Sequence, residues 1–258
     1  MVRTTLTLAF LAVLSSVPAL AHDFWAGVEK AAIGEQIQVF QGFGHGFPVA
    51  DEIKADVYAE RFEPVRLVGL GSEIKLTQGA LAQNFVSEES LAAGSYYVLA
   101  ASKLGFASRT PNGFVRKSRA EEPSAVSCSF GANFGKNLLN LGQAGPEAFV
   151  SKPVGHKLEI VPQVNPWKVK VGDKFPVKVL FDGQPLPAAS VGAFFAGFSD
   201  RNAALAFQAE TDQDGLVDIV PLRPGNWLAK VSKSDPYPDE SVCGRETYSA
   251  SLAFSIVE

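Results

Sequence analysis

The sequence predicts an all-β protein: two tandem Ig-like or jelly-roll-type β-sandwich domains behind a cleaved signal peptide. Three observations carry this. Short alternating or β-branched runs recur between turn residues while helical periodicity is scarce. The second half of the chain repeats the order of the first, and the opening residues have the plan of an export signal.

The signal comes first in the chain. "MVRTTLTLAFLAVLSSVPALA" carries one positive charge (Arg3), an apolar run from Leu6 to Leu14, and a closing Ala19-Leu20-Ala21 of A-x-A type. Cleavage after Ala21 starts the mature chain at His22 in an exported, periplasmic protein. No later run reaches the roughly 18 apolar residues of a membrane span. Losing Arg3 takes the formal charge from −4 to −5. An acidic balance without Lys/Arg runs argues against nucleic acid and anionic membrane as partners.

The strands follow as "QIQVFQ" (36–41), "ADVYAE" (55–60), "SYYVLAA" (95–101), "KLEIVP" (157–162), "FPVKVLF" (175–181), "GLVDIVPL" (215–222), "NWLAKVS" (226–232) and "SASLAFSIV" (249–257). "FGANFGKNLLNLG" (130–142) reads as a short helix ending at Gly142. Residues 34–60 resemble 172–197, each with Gly-acid, a strand, a Gly/Pro turn and a further strand holding Val57 or Val191. Residues 91–100 match 222–231 in Leu, Gly and aromatic spacing. The domains are therefore expected at 22–155 and 156–258, after a signal at 1–21. Cys128 and Cys243 fall in different halves, and an even pair in an oxidising compartment reads as one disulfide joining them.

Chemistry centres on the three histidines, His22, His45 and His156. Processing gives His22 a free α-amine that chelates one metal ion together with Nδ1 of its imidazole. The amine's ordinary pKa of about 7.7–8 lets it deprotonate readily at a metal. His45 sits in "GFGHGFP" and His156 in "VGHKLEI", each in a loop beside glycine, where binding residues concentrate. Nitrogen ligands of this kind suit Ni²⁺, Co²⁺, Cu²⁺ or Zn²⁺. Other signals are weaker. "DQDG" (212–215) lacks the glutamate of a calcium loop and reads as a tight hairpin turn. Asp235, Asp239 and Glu240 lie in a Pro/Asp loop of the solvated kind. No G-x-S-x-G or phosphate loop is present, so the chain does not read as an enzyme.

Several blocks resemble a known family: "AHDFW" after the signal, "TPNGFVRKS" (110–118), "GHKLEIVPQVNPWKVKVGDKFPVKVLFDGQPLP" (155–187), "TDQDGLVDIVPLRPGNWLAKV" (211–231) and "YPDESVCGRETYSASLAFSI" (237–256). The likeness is to the periplasmic DUF4198 proteins associated with energy-coupling-factor type Ni/Co importers, and it spans nearly the whole mature chain. It implies a secreted β-sandwich protein that binds nickel or cobalt and supports uptake by a membrane importer. Two alternatives stay open: a histidine-brace copper protein or oxidative enzyme, and a structural or adhesive sandwich pair without metal.

Overall fold

Alternating apolar side chains and frequent glycine turns make short strands almost throughout. The protein is represented by a computed structural model describing residues 22–199 and 204–257; the expected signal segment lies outside them. The N-terminal half contains β1 (Asp23–Lys30), β2 (Gln38–Gly44), α1 (Ala55–Arg61), β3 (Arg66–Val68), β4 (Glu73–Ile74), β5 (Leu76–Gln78) and β6 (Asn84–Ser87). It continues through β7 (Gly94–Ala101), β8 (Gly105–Thr110), β9 (Gly113–Val115), β10 (Ser127–Leu141) and α2 (Glu147–Val150). The C-terminal half holds β11 (Leu158–Pro162), β12 (Phe175–Phe181), β13 (Gln184–Pro185), β14 (Ser190–Phe195), β15 (Phe207–Glu210), β16 (Leu216–Ile219), β17 (Gly225–Pro236) and β18 (Arg245–Ile256).

These strands form three sheets. One is β1-β2-β6-β5, and another is β11-β12-β13 with β16 beside β12. The third is a ten-stranded sheet in the order β15-β14-β17-β18-β10-β7-β3-β4, with β8 on β10 and β9 on β8. Its two halves join where β10 runs parallel to β18, from Ser129 beside Arg245 to Asn137 beside Ala253. Register then fixes which residues share a face. Tyr248, Ala250, Leu252, Phe254 and Ile256 of β18 point to a core with Leu158 and Ile160 of β11 and Phe175, Val177 and Val179 of β12. The intervening Ser251 lies beside Gly135, which lies beside Ala100. On that opposite face Ala100 and Val98 meet Phe24 and Ala26 of β1 in a second core. The two four-stranded sheets thus cover opposite faces of the long sheet, each over its own half.

The sharing of one sheet was not legible in the sequence. It is secured on both faces. A Cβ at Gly135 would come within 2.7 Å of the Ala26 nitrogen, so the absence of a side chain lets β1 cross directly over β10. On the other face Lys136 Nζ reaches Glu159 Oε1 at 2.6 Å, with both side chains almost wholly buried. Glu159 also accepts from the Val154 and Gly155 amides, and Lys136 lies 4.9 Å from the Tyr97 ring centre. Cys128 and Cys243 form the expected disulfide, Cα–Cα 5.1 Å, across 115 residues.

Two local expectations are corrected. Residues 130–142 lie in and just beyond the central strand β10, not in a helix. Gly131 and Gly135 weaken helix there, and three paired neighbours (β7, β8 and β18) supply tertiary contacts that override local preference. Gly142, with φ +69°, ends a strand instead. Residues 55–60 fall in helix α1, with Asp56 in its first turn, Arg61 in its last, and Tyr58 and Phe62 buried one turn apart. The repeat therefore holds from β2 to β12 and from β7 to β17, and it fails at Val57, which is helical where Val191 is in β14.

Candidate metal-binding site

The hairpin of β1 and β2 brings two of the three histidines together. Asp23 pairs with Gly44, so the next step outward in an antiparallel ladder sets His22 beside His45. Their rings stack, centres 4.1 Å apart and planes 26° apart. Phe43 stacks on His22 as well, at 4.6 Å and 11°. Both histidines face solvent.

The loop beyond His45 is tightly held. Phe47-Pro48 is cis, and the Val49 amide donates to the Gly46 carbonyl at 2.8 Å, the pattern of a type VI turn. Asp51 then returns, its amide donating to the Phe43 carbonyl at 3.1 Å. Its carboxylate lies so near Gly44 that a Cβ there would come 2.6 Å from Oδ2. The buried Gln83 fixes this return: its Nε2 donates to the Asp51 carbonyl and its Oε1 accepts from the Ile53 amide. At the other end Asp23 forms an ion pair of 2.7 Å with Lys230 of β17, tying the hairpin to the long sheet.

Electrostatics favour a neutral His22. Partial burial is the main cause of its lowered pKa, and His45 and Arg61 push the same way, while Asp51 and Asp23 oppose them. An unprotonated imidazole is the form that binds metal. Beside His22 lies an open ledge of about 510 Å³ on the face of the long sheet that β1 leaves uncovered. Small polar groups of β18 and β17 pave it, among them Thr247, Ser249 and Ser232.

His156 lies apart from this pair. It stacks on Phe134 of β10 at 5.0 Å. Phe134 packs against the core of the C-terminal half, on the sheet face opposite Gly135 and β1. Burial lowers the His156 pKa to about 4; Glu159 opposes this, while Lys136 and Arg66 add to it. Among the described residues no group of three or more His, Cys, Asp or Glu side chains is placed to hold a metal ion. Side chains alone supply a histidine pair.

The weaker signals resolve as local structure. Asp212 Oδ1 accepts from the Asp214 and Leu216 amides, closing a tight turn at Gly215. That turn joins β15 and β16, which belong to different sheets, so it is not a hairpin. Asp239 accepts from the Ser241 amide and hydroxyl, and Asp235 pairs with Lys233. The sequence reading missed Asp51, Asp23 and Lys230 around His22. Asp23 adjoins His22, and Asp51 follows the glycine loop, but nothing in the sequence pointed to Lys230.

Residues 19–235 match the model of a domain of unknown function, DUF4198. No curated protein matches. Among solved structures, the D0-D1 domain of intimin is similar at 16% identity, over 90% of this chain and 97% of that one, with TM-score 0.22. The D00-D0 domain of intimin is similar at 12% identity, over 92% and 100%, with TM-score 0.22. The three N-terminal domains of the bacteriophage RB49 outer capsid protein Hoc align at 8% identity, over 92% and 59%, with TM-score 0.19. TM-scores of this size do not establish a shared arrangement. No helix among the described residues is long and apolar enough to cross a membrane.

Proposed function

This chain belongs to the DUF4198 family, and we propose that its processed form captures a divalent transition-metal ion in the periplasm, nickel or cobalt foremost, for uptake by a membrane importer. In this reading it is a binding protein and not an enzyme. One observation carries the proposal: the His45 imidazole lies 4.1 Å from that of His22. Two imidazole nitrogens each about 2.0–2.1 Å from one ion stand roughly 3–4 Å apart, so the two rings are near enough to share an ion once they turn out of the stack and their in-plane lone pairs converge on it. The third donor is the His22 α-amine, which exists only after cleavage at Ala21. A site completed by processing is consistent with the absence of a three-side-chain cluster among the described residues. Met1 is the sole methionine and both cysteines are in the disulfide, so the donors are nitrogen and oxygen. His156, on the opposite sheet face, is not a ligand in this proposal.

The test compares Ni²⁺, Co²⁺, Cu²⁺ and Zn²⁺ titrations of processed protein, a form with one residue added before His22, His22→Ala, His45→Ala and His156→Ala. The expected result is one ion per chain, a loss of at least tenfold in the first three variants, and no change in His156→Ala. Equal affinity in the processed and extended forms would refute the amine's role. No binding by any form leaves the metal-free structural reading. Copper binding accompanied by oxygen consumption would favour the histidine-brace alternative.

A further inference from the structure

The ledge beside His22 does not stop at Asn133. Asn133 and Thr247 also line a second hollow of about 140 Å³. Its floor includes Ser129 and Gly131 of β10 and Gly105 of β8, and Arg61 and Arg116 stand at its edge. Gly131 is register partner to both Gly105 and Thr247, so this hollow and the ledge occupy one face of the same sheet.

The two arginines are unusual in their company. Neither has a carboxylate within ion-pair distance among the described residues. Arg61 rests on the rings of Phe43 and Phe62, each 5.5 Å from its guanidinium carbon. Arg116 donates one hydrogen bond, to the Lys103 carbonyl at 3.3 Å. A Cβ at Gly105 would come 2.5 Å from Arg116 Nη2, so the glycine gives the guanidinium its place. Both side chains are partly buried. Burial chiefly, and Arg116 next, depress the Arg61 pKa, while Glu60 opposes them. Two guanidiniums line one small hollow with no ion pair to either among the described residues, which leaves them available to an anion that enters it.

We propose that this hollow binds one carboxylate of a small polycarboxylate, whose other arms run past Asn133 and Thr247 along the ledge towards His22. At about 140 Å³ the hollow has room for one carboxylate. The guanidinium fork matches a carboxylate with two parallel hydrogen bonds. The larger ledge, with its hydroxyls and amides, accommodates further polar arms that an inorganic anion lacks. Phe43 lies against both the His22 ring and Arg61, so a single ring separates the histidine pair from the arginine pair. A polycarboxylate here would accompany a metal ion as its chelator; that link rests on the metal reading, whereas the anion site does not.

The experiment titrates citrate, phosphate and acetate into the full processed chain, freed of metal on a chelating resin, at fixed ionic strength. Citrate is expected to bind at one saturable site at least tenfold more tightly than either other anion, and to raise the melting temperature. Arg61→Gln and Arg116→Gln should each weaken citrate at least tenfold and shrink the citrate-induced rise in melting temperature, read against each variant's own citrate-free value. If one variant does not fold, the other decides. Phosphate binding equal to citrate, unsaturable citrate binding, or wild-type affinity in a folded variant would overturn the proposal. His22→Ala should keep citrate binding whether or not it loses metal, which separates failure of this site from failure of the metal site.

Discussion

Lys136→Met breaks the buried pair at the seam between the halves. Lys136 and Glu159 are 1% and 2% exposed, so removing the ammonium leaves a carboxylate with no route to water. Breaking such a pair by deleting one partner costs about 3–5 kcal/mol. Glu159 keeps hydrogen bonds from the Val154 and Gly155 amides, which places the expected loss near the lower end, about 3 kcal/mol. Lys136→Met combined with Glu159→Gln removes both charges while an amide oxygen still accepts from the loop. The double variant should therefore recover at least half of the loss. Urea unfolding at pH 7 of the parent, both single variants and the double gives the coupling energy directly. A Lys136→Met loss below about 0.5 kcal/mol, or strictly additive single effects, would refute the assignment of the seam to this pair.

His156 should make stability depend on pH. Its pKa is about 4 in the folded chain against an ordinary 6.5, so the contribution is complete above 6.5 and is lost as pH falls towards 4. At 1.36 kcal/mol per pH unit the full effect is at most roughly 3–4 kcal/mol. His156→Phe, which retains an aromatic stack on Phe134, should lose less stability than the parent between pH 7 and 4.5; parallel losses in denaturant melts would contradict this. Replacing Cys128 and Cys243 by serine should cost up to about 4–5 kcal/mol by the chain-entropy model for a loop of 115 residues, measured by thermal or denaturant unfolding. Gly135→Ala should destabilise by about 1–3 kcal/mol, because its Cβ meets the Trp25–Ala26 backbone and not a movable side chain; a neutral melting temperature would show that β1 does not cross there as described.

The C-terminal half was largely legible in the sequence because its strands are short, alternating and bounded by turns. The "KLEIVP", "FPVKVLF" and "NWLAKVS" runs fall on β11, β12 and β17. β10 was not, since its stretch from Gly135 to Leu141 is covered on both faces and carries no clean alternation, and its leucines recur at spacings that also fit a helix. α1 failed for the reverse reason: Val57 and Tyr58 have strand preferences, and only burial of Tyr58 and Phe62 on one side selects the helix. At the site, the glycine-flanked His45 stood out and its proximity to His22 follows from hairpin register. Arg61 and Arg116 are far apart in sequence, and they line one hollow only because the last turn of α1 and the segment after β9 are both brought to the paired strands β8 and β10. No spacing rule encodes that meeting.

The parallel junction of β10 and β18 also limits how the two halves can move against each other. Two-lobed binding proteins enclose their ligand by swinging about a flexible connection. Here the halves are stitched by nine consecutive register pairs and by the Cys128–Cys243 bridge beside them. Reorienting one half against the other would require tearing that ladder, so the molecule has no jaw to close. Whatever binds beside His22 is met by a stiff, open shelf and stays within reach of a competing surface. Under the metal-capture reading proposed above, hand-over would then be an exchange between two sets of donors in contact, its rate set by the bonds at the ligand and not by a motion of the fold.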